Sequence, residues 1–264
     1  MVQRHFSTSK TVSLFLIDTA SPILARNALL ISMQRFEFDS VKVFTNTPEL
    51  YPGIDCVKIP ELKSAKDYSN FTIREMPKYI QTDFILIIHY DGFILNGDEF
   101  SPVYYHYDYI GAPWNSDDAN SVGNGGFSWR SKKLCIAVQE ISNEFEDVGH
   151  EDVFICKLQR KLLEEKYQCF FPSKDMALHF AFESSHPRFP TFGFHGAFHL
   201  PIIYRDNLEY LLDNIPDRLF VPTDVTCTVF RHHISMFSEN AAKLYNERFL
   251  IRSEQASINR GDRN

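Results

Sequence analysis

A chain of 264 residues suffices for one large domain or two average ones, and 44% hydrophobic with 23% charged residues is the make-up of a folded globular protein. With 27 Lys and Arg against 34 Asp and Glu the net charge is −7, which excludes a nucleic-acid binder that works through its overall field. The apolar runs are far shorter than the roughly 20 residues of a membrane span, so no transmembrane segment is expected.

Residues 1–10 are polar, lack the apolar core of an export signal, and read as a tail. Cys56, Cys135, Cys156, Cys169 and Cys227 show neither paired nor metal-site spacing, so reduced thiols and a cytoplasmic location are expected. Residues 12–18 form a compact apolar run suited to a strand buried on both faces. Pro22 then opens a helix whose apolar positions are Ile23, Leu24, Ala28, Ile31, Met33 and Phe36, and residues 41–45 give a second strand. A turn at Tyr51-Pro-Gly, a strand at 56–59 and a helix at 71–79 follow. The strongest strand, 84–88, runs straight into His89-Tyr-Asp-Gly92.

Helices are predicted over 132–145 and from His150 through Leu163, and weaker ones over 208–212 and 241–249. Alternating strands and helices predict an α/β protein with an open, mostly parallel sheet. Such sheets take ligands beyond the carboxyl ends of their strands, where Asp18 and Asp91 fall. The predicted organisation is a single domain over 11–252, with 202–252 its weaker part and 253–264 a disordered polar tail. The 24 Phe and 12 Tyr exceed what such a core needs, which points to aromatic-lined pockets or an interface.

Four clusters can carry chemistry. His89 and Asp91, two apart at a strand end, can face one cavity and ligate a divalent ion; the plain alternative is a tight turn at Asp91-Gly92. Gly123-Asn-Gly-Gly-Phe-Ser128 suits a wall that touches a sugar or its nucleotide, or is an ordinary glycine turn. Glu151 and Asp152 at a helix N-terminus either meet the helix dipole or include a general base. His195, between aromatics and glycines in Phe192-Gly-Phe-His-Gly196, is either structural or a ligand to phosphate or metal.

The ordered series Thr82-Asp-Phe-Ile-Leu-Ile-Ile-His-Tyr-Asp-Gly92, Tyr107-Asp-Tyr-Ile-Gly-Ala-Pro-Trp114, Val122-Gly-Asn-Gly-Gly-Phe-Ser-Trp-Arg-Ser131, His150-Glu-Asp-Val-Phe154 and Phe192-Gly-Phe-His-Gly196 resembles a family of glycosyltransferase-like domains of unassigned activity. That family is similar to the GT-A nucleotide-sugar glycosyltransferases, and the resemblance spans about residues 10–200. It implies a Rossmann-like mixed sheet flanked by helices and an inverting, metal-dependent transfer from a nucleotide diphosphate sugar to a glycan or glycoconjugate acceptor. It implies that Asp91, His89 and His195 hold Mn²⁺ or Mg²⁺. His89 stands where such enzymes often carry an Asp, a departure that suits Mn²⁺ better than Mg²⁺.

By the same resemblance Asp152 is the base and Glu151 positions it or the acceptor. Asp18, Thr19, Asp91, Gly92, Asn124, Gly125 and Gly126 are implied to line the nucleotide-sugar site. Two other readings of these residues stay open, a metal-dependent phosphoester hydrolase and a non-catalytic glycan-binding module.

Overall fold

Val12–Ile17 is buried at every residue and forms β1, an inner strand of a six-stranded sheet. This computed structural model describes residues 10–116, 118, 121–184, 187–216, 219 and 225–261, with the side chains of 225–226 and 252–261 left aside. The expected N-terminal tail therefore lies outside the described residues except for Lys10, and so does the end of the polar tail.

After β1, Pro22 occupies the first turn of α1 (Pro22–Arg35), where its missing N–H costs nothing. β2 (Ser40–Thr45) and β3 (Asp55–Lys58) follow, and burial falls off towards the β3 edge. α2 (Ala65–Asn70) begins six residues before the predicted helix, because the Ser64 hydroxyl accepts the Asp67 N–H and caps it although its own residues are polar. A π-helical turn at Phe71–Glu75 and a 3₁₀ turn at Met76–Tyr79, with Pro77 in it, complete the segment. β4 (Phe84–Ile88) is wholly buried.

Two short strands escaped prediction, β5 (Tyr109–Gly111) and β6 (Ser128–Ser131), the latter because Ser-Trp-Arg-Ser offers no apolar run. α3 (Lys132–Ser142) follows as expected. The helix expected from His150 is broken: α4 (Glu151–Val153) passes through a π turn to Gln159, whose φ of −106° and ψ of 1° leave the helical region before α5 (Arg160–Glu165). α6 (Lys174–Phe180), not predicted, leads into β7 (Ala181–Phe182), which pairs with β8 (Gly193–Phe194).

The main sheet has the order β3-β2-β1-β4-β6-β5. Its β3-β2-β1-β4 part is parallel, whereas β6 runs antiparallel between β4 and β5. The sheet is thus mixed and mostly parallel with flanking helices, as expected. Alternation along β1 and β4 sends Phe15, Ile17, Ile85 and Ile87 to one face, where Phe44, Ile59, Met76 and Ile80 join them. The aromatic surplus goes largely into the core: Phe36, Phe100, Tyr104, Phe127, Trp129, Phe180 and Phe192 form one chain of ring contacts.

By compactness the chain divides into residues 1–195 and 196–264, close to residue 202, where the sequence pattern weakens. The second unit comprises α7 (Leu200–Ile203), α8 (Leu208–Asn214), α9 (Val225–Phe237) and α10 (Glu239–Gly261). Leu211, Leu212, Phe230, Ile234 and Tyr245 are buried in it, and the Tyr245 hydroxyl donates to the Leu219 carbonyl at 2.7 Å. α10 continues to Gly261, through most of the stretch expected to be a polar tail.

Candidate active site

β4 ends in a tight turn. The His89 N–H donates to the Gly92 carbonyl at 2.9 Å and the Gly92 N–H returns to His89 at 3.2 Å, so Asp91 sits at the tip of a two-residue loop, buried. The plain turn reading is correct as geometry, and the turn is what presents His89 and Asp91 together. Two residues on, Ile94 bridges to Gly193 of β8. This bridge carries His195, the residue after β8, back to the turn. The Nε2 of His195 lies 3.9 Å from Asp91 Oδ1, and one donor atom from each of His89, Asp91 and His195 falls within 4.8 Å of the others.

Both imidazoles are held from behind. β7 and β8 run parallel in the register Phe182↔Phe194, and the His195 N–H donates to the Phe182 carbonyl at 2.9 Å. Glu183 and His195 therefore emerge side by side, with Glu183 Oε1 3.0 Å from His195 Nδ1. On the other flank the Tyr68 hydroxyl of α2 lies 2.9 Å from His89 Nε2.

The glycine segment forms the adjoining wall. Asn124 adopts a φ of +68°, and its side-chain oxygen accepts the Gly126 N–H at 3.2 Å, so the Asn folds back to set the loop. A Cβ at Gly126 would stand 2.2 Å from His195 Nε2 and 2.9 Å from His89 Nδ1, and one at Gly125 only 1.6 Å from Glu151 Oε1. The backbone at 125–126 thus comes against the histidines on one side and Glu151 on the other.

Glu151 and Arg130 are both almost completely buried and joined at 2.8 Å. Arg130 Nε also donates to Ser128 Oγ at 2.9 Å, and the guanidinium lies 5.2 Å from the Tyr109 ring centre. Among the described residues Glu151 Oε2 is buried without a hydrogen-bond partner. Burial pushes the Glu151 carboxyl up from its ordinary value, against the pull of Arg130. Burial also raises the Tyr68 phenol, which stays neutral at physiological pH. Asp152 is half-buried in the first turn of α4 and its carboxylate accepts the Val153 N–H at 2.8 Å.

The structure therefore gathers His89, Asp91, Gly92, Gly126 and His195, with Gly125 and Glu151 next in line. Asp18 and Thr19 end β1 with backbone partners: Asp18 accepts the Ser21 N–H at 3.0 Å, and Thr19 Oγ1 accepts the Leu62 N–H at 2.9 Å. Sequence reasoning missed Tyr68, Arg130 and Glu183. Arg130 carried a faint signal, a charge alternating with Trp129 in a short polar strand, while Tyr68 and Glu183 carried none.

Two imidazoles and a carboxylate form a His–Asp–His group that could hold a metal ion, a donor set fitted to Mn²⁺ or a later transition metal more than to Mg²⁺. The Gly126 backbone lies against His195 Nε2 and His89 Nδ1, and the donor set of two imidazoles and a carboxylate fits a bound ion.

A family model described as "Protein of unknown function (DUF5672)" matches residues 53–195, more than half of the chain and the stretch that includes His89, Asp91, Glu151, Asp152 and His195. The chain belongs to this family. No curated protein matches the sequence. Among solved structures, glucosyl-3-phosphoglycerate synthase from Mycobacterium tuberculosis, in complex with Mn²⁺, UDP and phosphoglyceric acid, is similar at 9% identity and a TM-score of 0.32, over 48% of this chain and 57% of that one. Its complex with Mn²⁺, UDP-glucose and phosphoglyceric acid is similar at 10% identity and a TM-score of 0.31, over 48% and 58%. A mycobacterial protein is similar at 8% identity and a TM-score of 0.33, over 55% and 64%. This DUF5672 chain spans just over half the length of the synthase it matches, and its functional reading rests on its own residues. Among the described residues no helix is long and apolar enough to cross a membrane.

Proposed function

We propose that the protein is an inverting, metal-dependent glycosyltransferase of the cytoplasm that moves a sugar from a nucleotide diphosphate sugar to a hydroxyl of a glycan or glycoconjugate, in polysaccharide or glycoconjugate synthesis. The observation that carries this reading is the meeting of His89, Asp91 and His195 at the carboxyl end of β4, against a side-chain-free glycine wall with Glu151 behind it. A leaving nucleoside diphosphate is strongly anionic, and a divalent ion held by these three residues would supply the neutralising charge. Gly92, Asn124, Gly125 and Gly126 form the wall beside this centre, and in this reading the diphosphate and sugar lie along it. Asp18 and Thr19, at the end of the strand beside β4, take the nucleoside end.

In this reading Asp152 is the base, because Glu151 is committed to Arg130 whereas Asp152 is half-buried. The Asp152 carboxylate takes the proton of the acceptor hydroxyl, whose oxygen bonds to the anomeric carbon. The bond from that carbon to the diphosphate oxygen breaks, its electron pair leaves with the nucleoside diphosphate, and the anomeric centre inverts.

The test is thermal melting of the full chain against UDP, GDP, CMP and dTDP sugars with and without Mn²⁺, followed by product analysis. One nucleotide class should raise the melting temperature, more so with Mn²⁺, since a ligand at a hundred times its Kd stabilises by about 2.7 kcal/mol. Asp152→Asn should keep that shift and lose about 10²–10⁴-fold in turnover. A panel with no shift sinks the transferase reading, and wild-type turnover by Asp152→Asn removes the base assignment.

A further inference from the structure

We infer that Tyr68 and Glu183 are positioning residues that fix which nitrogen each histidine turns to the His89–Asp91–His195 centre, Nδ1 from His89 and Nε2 from His195. The inference rests on reading that centre as a metal site, and it adds the two side chains that build it.

Each imidazole meets one of these side chains through one ring nitrogen and sets the other against Gly126. For His195, Nδ1 is 3.0 Å from Glu183 Oε1, while Nε2 lies 3.9 Å from Asp91 Oδ1 and 2.2 Å from where a Gly126 Cβ would stand. For His89 the roles are exchanged: Nε2 is 2.9 Å from the Tyr68 hydroxyl, and Nδ1 is 2.9 Å from the same Cβ position. A neutral imidazole carries one N–H and one lone pair. A carboxylate behind His195 Nδ1 accepts an N–H, which leaves the lone pair on Nε2. The Tyr68 hydroxyl can donate or accept, so it holds the His89 ring in place in either tautomer; a cation that takes the Nδ1 lone pair leaves the N–H on Nε2, and the hydroxyl then accepts it. With an ion bound, both lone pairs are directed at the His89–Asp91–His195 centre, beside the Gly126 backbone.

The supports come from separate elements and are themselves fixed. Glu183 follows β7 and is aligned with His195 by the β7–β8 register. Tyr68 lies on α2, and Ser69 beside it accepts the Glu151 N–H at 3.1 Å, which ties this helix to the carboxylate pair. Partners of this kind hold a ligating histidine in the right tautomer and orientation, and their removal costs about 10–100-fold in metal affinity.

The experiment is titration of the full-length protein with Mn²⁺ alone, followed by calorimetry and by the electron-paramagnetic signal of free Mn²⁺, on wild type, Tyr68→Phe, Glu183→Ala and Glu183→Gln. Tyr68→Phe and Glu183→Ala should each weaken Mn²⁺ binding by about 10–100-fold, while Glu183→Gln, whose amide oxygen still accepts the N–H, recovers most of that loss. Mere structural damage would not be repaired by the amide. A second measurement needs no variant: ¹⁵N chemical shifts of the metal-free wild type should show His195 as the Nδ1–H tautomer. Variants that bind Mn²⁺ as tightly as wild type, or the opposite tautomer at His195, overturn the positioning roles. A wild type that binds no Mn²⁺ instead overturns the metal site on which they rest, so the two failures are told apart.

Discussion

Neighbouring glycines at 125 and 126 are required for different reasons, and substitution separates them. A methyl group at 126 would stand 2.2 Å from His195 Nε2 and 2.9 Å from His89 Nδ1, both anchored from behind by Glu183 and Tyr68. Gly126→Ala should therefore abolish Mn²⁺ binding in calorimetry with a modest change in melting temperature. A methyl group at 125 would meet Glu151 Oε1 at 1.6 Å and drive the carboxylate off Arg130. Breaking a buried pair leaves a charge without its partner, at about 3–5 kcal/mol, so Gly125→Ala should act mainly on stability, read as a shift in the urea midpoint. Equal effects of the two substitutions would contradict this division. The sequence showed that this segment needs glycine, but not which neighbour each glycine admits.

At the scale of elements, β1 and β4 are registered by a polar clasp at their starting ends. Asp83 Oδ2 accepts the Thr11 N–H at 2.9 Å and the Thr11 hydroxyl at 3.1 Å, and the Phe84 N–H donates to the Thr11 carbonyl at 3.0 Å. The Thr11 backbone bond, above all, holds the Asp83 carboxyl below its ordinary value. A carboxyl depressed in the folded state stabilises above its unfolded pKa of about 3.9 and loses that contribution as pH falls through the lower folded value. Asp83→Asn should thus melt below wild type at neutral pH, and the gap should close in acid below about pH 4. A gap of constant size from neutral pH into acid would show that the clasp does not depend on the charge. The strands themselves were legible, because Val12–Ile17 and Phe84–Ile88 are continuous apolar runs. β5, β7 and β8 were not, since two or three residues carry too short a pattern for alternation to register, nor was β6, whose Ser-Trp-Arg-Ser offers no apolar run.

For the molecule as a whole, Cys56, Cys135, Cys156, Cys169 and Cys227 are all free thiols, and four of them are buried. Burial pushes Cys135 and Cys169 up to about 12, so they remain protonated and inert at neutral pH. The melting temperature should be the same with and without dithiothreitol, and a drop on reduction would reveal a cross-link. The sequence by itself determined the α/β class, the strong parallel strands and the order of the motifs, because these are written in runs and periods of neighbouring residues. Tertiary structure alone decided that His195 returns to Asp91 through the Ile94–Gly193 bridge, that Glu183 and Tyr68 stand behind the two histidines, and that Arg130 is the buried partner of Glu151. Local pattern reports which face of an element is apolar. Which distant side chains share one space is set by strand order and register, and those are fixed only when the sheet closes.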